Sequence, residues 1–301
     1  MIQMDDLPFR CSDLQNAGVV QIGGSTVMLL SVEMLQGYTQ IYQAVSFDGT
    51  TFTVDPEPFM TPDRTGERSL YETGGIRDAR ITCLDDGYYI TYLADGAYGW
   101  RVGLAKTYDF ESVEYLGFCT QPDVKGGVLL PEKVDGRYML FKRPIGGGIW
   151  VSYSKDLQFW GDDRVVMMPR GGHWDTSRIG PASAPIWTEH GWLLIYYGAK
   201  DTSAGPLYRL GAALLDADDP SHVIARSNVP IISPRETYER IGDLPNMIYS
   251  CGAILADDEL CIYYGGSDSC ICLGTIAVEE VVEFCLACAA VQDYLDATEC
   301  E

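Results

Sequence analysis

The stretch Gly74-Gly75-Ile76-Arg77-Asp78-Ala79-Arg80-Ile81-Thr82 sets a carboxylate and a guanidinium two residues apart, between paired glycines and a β-branched pair. Glycine permits tight backbone turns, and Ile81-Thr82 suits the start of a strand. Asp78 and Arg80 are therefore expected at the mouth of a sheet, where period-two alternation points both side chains the same way. One reading gives this pair a part in the protein's chemistry. The plainer alternative is an ion pair at a strand start, because a neighbouring cation favours the ionised acid. The chemical reading gains weight from the rest of the chain, which repeats one structural unit around this point.

The unit is an aliphatic-aromatic strand, a short Gly-containing turn and a second strand rich in Ala, Ser or Gly. An Asp-containing turn and a last short strand usually follow. Val27–Leu30 is expected to pair with Ile41–Ser46, and Tyr88–Ala94 with Val102–Lys106. Tyr138–Arg143 pairs with Ile149–Ser154, Trp192–Gly198 with Tyr208–Leu215, and Leu260–Gly265 with Ile271–Ala277. The units recur roughly every 50 to 65 residues, the range of propeller blades. One such antiparallel sheet cannot bury both faces, so five must pack radially about an axis. The spacing predicts an all-β, five-bladed β-propeller, one domain over residues 1–301. Only the tail, 278–295, reads as a helix, with Val281, Val282, Cys285, Cys288 and Ala289 as its apolar stripe. It is expected to cover the last blade, with a contact in a homo-oligomer as the alternative.

A chain of 301 residues, 47% hydrophobic, can bury a large core. Lys+Arg 21 against Asp+Glu 43 gives a formal charge of −22, which argues against nucleic acid or an anionic membrane surface as partner. The few cations near the candidate segments carry extra weight for the same reason. Met1–Asp6 has neither a basic region nor an apolar core, and no run reaches membrane-spanning length, so a cytoplasmic protein is expected. The ten cysteines are then expected to be mostly reduced and buried. A lone Cys285-x-x-Cys288 lacks the second pair of a zinc site, and no metal is expected.

A propeller places its site at one end of the axial channel, on the segments that lead into each inner strand. These are Gln15–Gly18, the Asp78 stretch, Pro122–Lys133, Arg178–Pro185 and Asp243–Gly252. At these segments the chain resembles glycoside hydrolase family 130, the mannoside phosphorylases and related mannosidases. Arg77-Asp78-Ala79-Arg80-Ile81-Thr82 stands where the family reads Glu-Asp-Pro-Arg, an aliphatic residue and Thr. Val128–Lys133 through Lys142-Arg143-Pro144 matches a second motif, and Ile179–Ile186 with Gly191–Tyr196 a third. Tyr208–Leu215, Gly242–Asn246 and Tyr263–Asp268 continue the match in order, over nearly the whole chain.

The resemblance implies the five-bladed propeller fold and inverting phosphorolysis of a β-linked mannoside, releasing α-mannose 1-phosphate. An inverting hydrolase needs two carboxylates about 6.5–9.5 Å apart. A phosphorylase needs only the acid, because phosphate is already an anionic nucleophile; a cationic pocket replaces the base. The resemblance puts the acid at Asp78, acting through the sugar's 3-hydroxyl. It puts phosphate contacts at Lys142 or Arg143, at Arg178 and at Tyr197, and a mannosyl contact at Asp268. Asn16, Arg80, Asp243 and Asn246 are further sugar-contact candidates. No cofactor is implied; the partners are a short oligosaccharide and inorganic phosphate.

The chain departs from the family pattern at several places. Arg77 stands for Glu, Ala79 for Pro, Ser31 for a common Arg, Val124-Lys125-Gly126 for Asn-Lys-Asp, and Tyr197 for His. A tyrosine can donate to phosphate but carries no positive charge near neutral pH. Arg77 is the candidate for restoring charge lost at position 31. The alternatives are a β-mannosidase of the same family and a non-catalytic sugar-binding propeller. Glu132, the three histidines and the Asp85-Asp86 and Asp257-Asp258 turns read as structural, and Trp150, Trp174 and Tyr98 as core before sugar platforms.

Overall fold

Antiparallel pairing builds five blades, the first two joined by a single parallel pair at Thr39 and Gly75, in a computed structural model that describes residues 1–299, with side chains placed through residue 291. Blade one comprises Asp13–Ile22, Ser25–Glu33, Thr39–Ser46 and Thr53–Met60. Blade two comprises Gly75–Leu84, Gly87–Gly96, Gly99–Thr107 and Glu114–Phe118. Blade three follows with Val124–Leu129, Tyr138–Pro144, Ile149–Ser154 and Gly161–Met167. In blade four the first-strand position is shared by Arg178–Pro181 and Ile186–Thr188, both paired with Gly191–Thr202; Gly205–Leu215 and Val223–Arg226 complete it. Blade five is Ile248–Ala256, Glu259–Gly266 and Cys270–Ala277, finished by Ile2–Gln3 from the far end of the sequence. Every hairpin expected from the repeats is present in antiparallel register.

Radial packing shows in where the apolar side chains go. Among the described residues, each of five buried clusters lies between consecutive blades. One joins blades one and two around Leu29, Ile41, Ile76 and Tyr92, and another joins five and one around Leu14, Met28, Tyr263 and Ile271. The rest fill the gaps from two to three, three to four and four to five. A blade thus buries both faces only because it has two neighbours, which explains why no single repeat is an independent unit. The inner strands of blades one and two approach backbone to backbone at Gly18. A Cβ there would lie 2.3 Å from the Ala79 carbonyl oxygen.

The helix differs from expectation in extent and in place. It runs Val278–Glu299, and it packs mainly on the last two strands of blade four; it meets blade five at the third strand and where the Val278 N–H donates to the Asp258 carbonyl. Val281, Val282 and Cys285 bury against that surface, and the Cys285 thiol faces the Ala212 carbonyl. A short helix, Thr237–Arg240, went unforeseen because it has too few residues to show a 3.6-residue period. The nine described cysteines are all free and seven of them are buried; Cys300 lies outside the described residues.

Candidate active site

The inner strands are interrupted at one level. Register shifts fall between Leu14 and Ala17, Arg77 and Arg80, Lys125 and Val128, and Ser250 and Gly252; blade four's inner strand is broken outright. A bulge leaves residues unpaired and re-aims their side chains. Here the interruptions ring the axis and open a cavity of ≈ 230 Å³, with Asn16, Asp78, Lys125, Arg143, Tyr197 and Asp268 on its walls.

Asp78 sits on the second of these bulges with φ of 57°, in the left-handed region. Such a conformation costs a non-glycine residue about 1–3 kcal/mol and persists only where the surroundings hold it. Its backbone N–H donates to Ser31 Oγ at 2.8 Å, and its carbonyl accepts from Arg80 at 2.9 Å. The side chain is buried, with Oδ1 accepting from the Asn16 amide at 2.9 Å and Oδ2 3.4 Å from the Tyr249 hydroxyl. An amide nitrogen can only donate, so Asn16 holds Oδ1 as an acceptor and leaves Oδ2 as the oxygen that can carry a proton. The serine at position 31 therefore positions the acid's backbone.

Arg80 does not face the cavity, contrary to the sugar-contact expectation. The bulge at Asp78-Ala79 breaks the alternation that would have aligned it with Asp78. Its guanidinium is fully buried beneath the floor and spans three blades, donating to the Ala182 carbonyl and the Tyr249 hydroxyl at 2.9 Å each. It binds the backbone of Asp78 rather than its carboxylate, so the expected ion pair is absent among the described residues.

The two walls carry opposite charge. On one side Asp13, Asp243 and Asp268 bring carboxylate oxygens within 4.8 Å of one another, a spacing a cation could bridge, and none is paired with a basic residue among the described residues. Burial, then the charge of Asp243, pushes Asp13 up to about 7. Burial, then Asp13 and Asp78, holds Asp268 well above the usual carboxylate range, and its buried Oδ1 has no partner among the described residues. On the other side Lys125 and Arg143 are directly opposite on neighbouring strands. The Lys125 ammonium lies 3.4 Å from the centre of the Trp100 ring, and burial, set against the attraction of Asp78, lowers it to about 8. Between them Tyr197 lies over Gly180, where a Cβ would come within 2.4 Å of the phenol oxygen. Burial raises the Tyr197 hydroxyl, so it remains a neutral donor.

Of the anticipated residues, Asn16, Arg77, Asp78, Arg143, Tyr197 and Asp268 reach the cavity, and Asp243 joins it through the carboxylate group. Lys142 does not. It neighbours Arg143 on one strand, so the two point to opposite faces, and Lys142 pairs with Asp163 at 2.9 Å. Arg178 stands behind the wall, donating to the Tyr208 hydroxyl at 2.9 Å and pairing with Asp201, while Tyr208 itself lines the cavity. Arg77 is at the rim but already ion-paired with Asp95. Asn246 is left-handed at φ 58° and contributes a backbone carbonyl to Tyr208, whereas its neighbours Leu244 and Met247 line the space. Sequence reasoning missed Asp13, Trp100, Lys125 and Tyr249. Lys125 was legible as a cation two residues after a turn-forming Pro-Asp in a segment leading to an inner strand; the others carried no motif.

Five blades around an axial cavity, with a buried aspartate on a bulge between an acidic and a cationic wall, define a β-propeller with a charged axial site. Comparison with known proteins narrows that class. The profile of glycoside hydrolase family 130, described as beta-1,4-mannooligosaccharide phosphorylase, matches residues 15–287. A beta-1,2-mannobiose phosphorylase of Listeria innocua is 36% identical over 266 residues, 85% of this chain and 73% of the relative. A beta-1,2-mannobiose phosphorylase of Thermoanaerobacter sp. is 38% identical over 246 residues, 81% and 78% of the two chains. The solved structure of beta-1,2-mannobiose phosphorylase from Listeria innocua with beta-1,2-mannobiose superposes with a TM-score of 0.86 at 30% identity, covering 95% of this chain and 97% of that one. The chain belongs to glycoside hydrolase family 130, and it is an enzyme.

Proposed function

We propose that this enzyme phosphorolyses a short β-mannoside, with β-1,2-mannobiose as the first substrate to test, and releases α-mannose 1-phosphate. The observation that carries the reading is the facing pair Lys125 and Arg143. Both open onto the cavity that holds Asp78, and neither is ion-paired among the described residues. A hydrolase needs instead a second carboxylate as base. Asp95 is tied to Arg77 and does not suit that role. Asp78 supplies the proton from Oδ2 through the sugar's 3-hydroxyl to the departing oxygen. Phosphate, held by Arg143 and the Tyr197 hydroxyl, attacks the anomeric carbon from the opposite face, which inverts it. Asp268 and Asp243 accept from sugar hydroxyls, with Asn16 holding the acid. The β-1,2 linkage rests on the relatives at 36% and 38% identity; the family description names a β-1,4 linkage, the second linkage to test. Incubating the protein with each mannobiose and phosphate, and following products by phosphorus and proton NMR, tests the reading. The expected product is α-mannose 1-phosphate; free mannose formed at a rate indifferent to phosphate overturns it.

A further inference from the structure

Two like charges directly opposite on neighbouring strands are unfavourable unless something lies between them. Lys125 and Arg143 are such a pair, in register at the start of blade three. Both line the axial cavity, and the Nε of Arg143 is buried without a partner among the described residues. Among the described residues Lys125 makes no ion pair. The groups that face it are Asp78, Arg77 and Asp95 from blade two and Arg143 from its own blade. Of these, Asp95 is ion-paired with Arg77, and Asp78 attracts the ammonium without forming an ion pair with it among the described residues. The aromatic face of Trp100 holds the ammonium in place without cancelling its charge.

We propose that Lys125 is a phosphate-binding residue of this active site, the cation that completes the anion site with Arg143, and that its charge sets the affinity for phosphate. This rests on the phosphorolytic reading above. A doubly charged anion placed between the two side chains turns their mutual repulsion into two charge-assisted hydrogen bonds. Arg143 is charged at every accessible pH, whereas Lys125 is not. With the amine lowered to about 8, the charged fraction falls about tenfold for each pH unit above that point. The opposite wall titrates through Asp13, held up to about 7, and that contribution is common to wild type and the Lys125 variants.

The test compares wild type with Lys125→Met and Lys125→Arg, with folding checked by thermal melting, and measures KM for phosphate and for the mannoside from pH 6.5 to 9.5. The arginine variant retains the titration of phosphate itself but removes that of the lysine. The expected results are a wild-type phosphate KM that climbs above pH 8 relative to Lys125→Arg, and a Lys125→Met phosphate KM raised about 10- to 100-fold at pH 7. The mannoside KM of the methionine variant should stay within about twofold of wild type, a split that a purely structural defect would not produce. Coincident pH profiles for wild type and Lys125→Arg, or equal rises in both KM values for Lys125→Met, overturn the role of Lys125 while phosphorolysis stands. Wild type that makes no sugar phosphate overturns the phosphorolytic reading itself, and this inference with it.

Discussion

The two walls of the axial cavity meet the same desolvation with opposite chemistry. On the acidic wall, from blades five and one, burial drives Asp13 and Asp268 toward their protonated, neutral forms. On the cationic wall burial likewise pushes Lys125 toward neutrality, but Arg143 stays charged. A neutral carboxyl can still donate and accept, so the acidic wall suits a polyol, whose hydroxyls also do both. The cationic wall can hold an anion such as phosphate only while it is charged. Asp78 stands between the two, and its own wiring through Asn16, Ser31 and Arg80 belongs to neither.

Removing the acid itself should have the largest effect. Asp78→Asn keeps the hydrogen bonding size but no dissociable proton, and is expected to lower kcat about 10³-fold. Mannobiose binding, followed by calorimetry, should survive. A variant that keeps more than about a tenth of wild-type turnover removes Asp78 from the acid role.

The walls themselves are separated by a crossed pair of variants. Arg143→Met is expected to raise the phosphate KM about 10- to 100-fold, and Asp268→Asn to raise the mannoside KM about tenfold. Each should leave the other KM nearly untouched. If both variants raise both constants alike, the cavity is one site and the contrast between its walls fails.

The smallest effect sharpens the acidic wall through stability. Asp13 is held up to about 7 in the folded chain, against an ordinary value of 3.8. Between those values the folded state keeps a proton that the unfolded chain releases, so this group's contribution to stability falls as pH rises through that window. Asp13→Asn removes the liability. Its melting temperature should exceed wild type by a few degrees at pH 8 and match it near pH 4.5. An equal difference at both pH values would show that Asp13 ionises normally.

The blades were legible because each is a local event: alternating strands with Gly and Asp turns between them, as in Tyr138–Arg143 and Ile149–Ser154. The site was legible in part. Asp78, Arg143 and Asp268 stood out through the family pattern, and all three line the cavity. Lys142 could not be separated from Arg143 until the strand showed which of two neighbours faces inward. Tyr249 and Asp13 carried no motif, and their roles come from what other blades bring against them. Ser31 read as a lost arginine, yet its hydroxyl accepts the backbone N–H of a residue 47 positions away.

By itself the amino-acid order determined the repeating strand pairs, the number of blades and the family, because these depend on side-chain period and on turn chemistry within short windows. Tertiary structure alone decided which cations see the cavity, that Arg80 lies beneath its floor, and that the helix leans on blade four. The bulges that re-aim Asp78 and its neighbours arise where five inner strands crowd a single axis. That crowding is a property of the closed ring, and no segment read alone contains it.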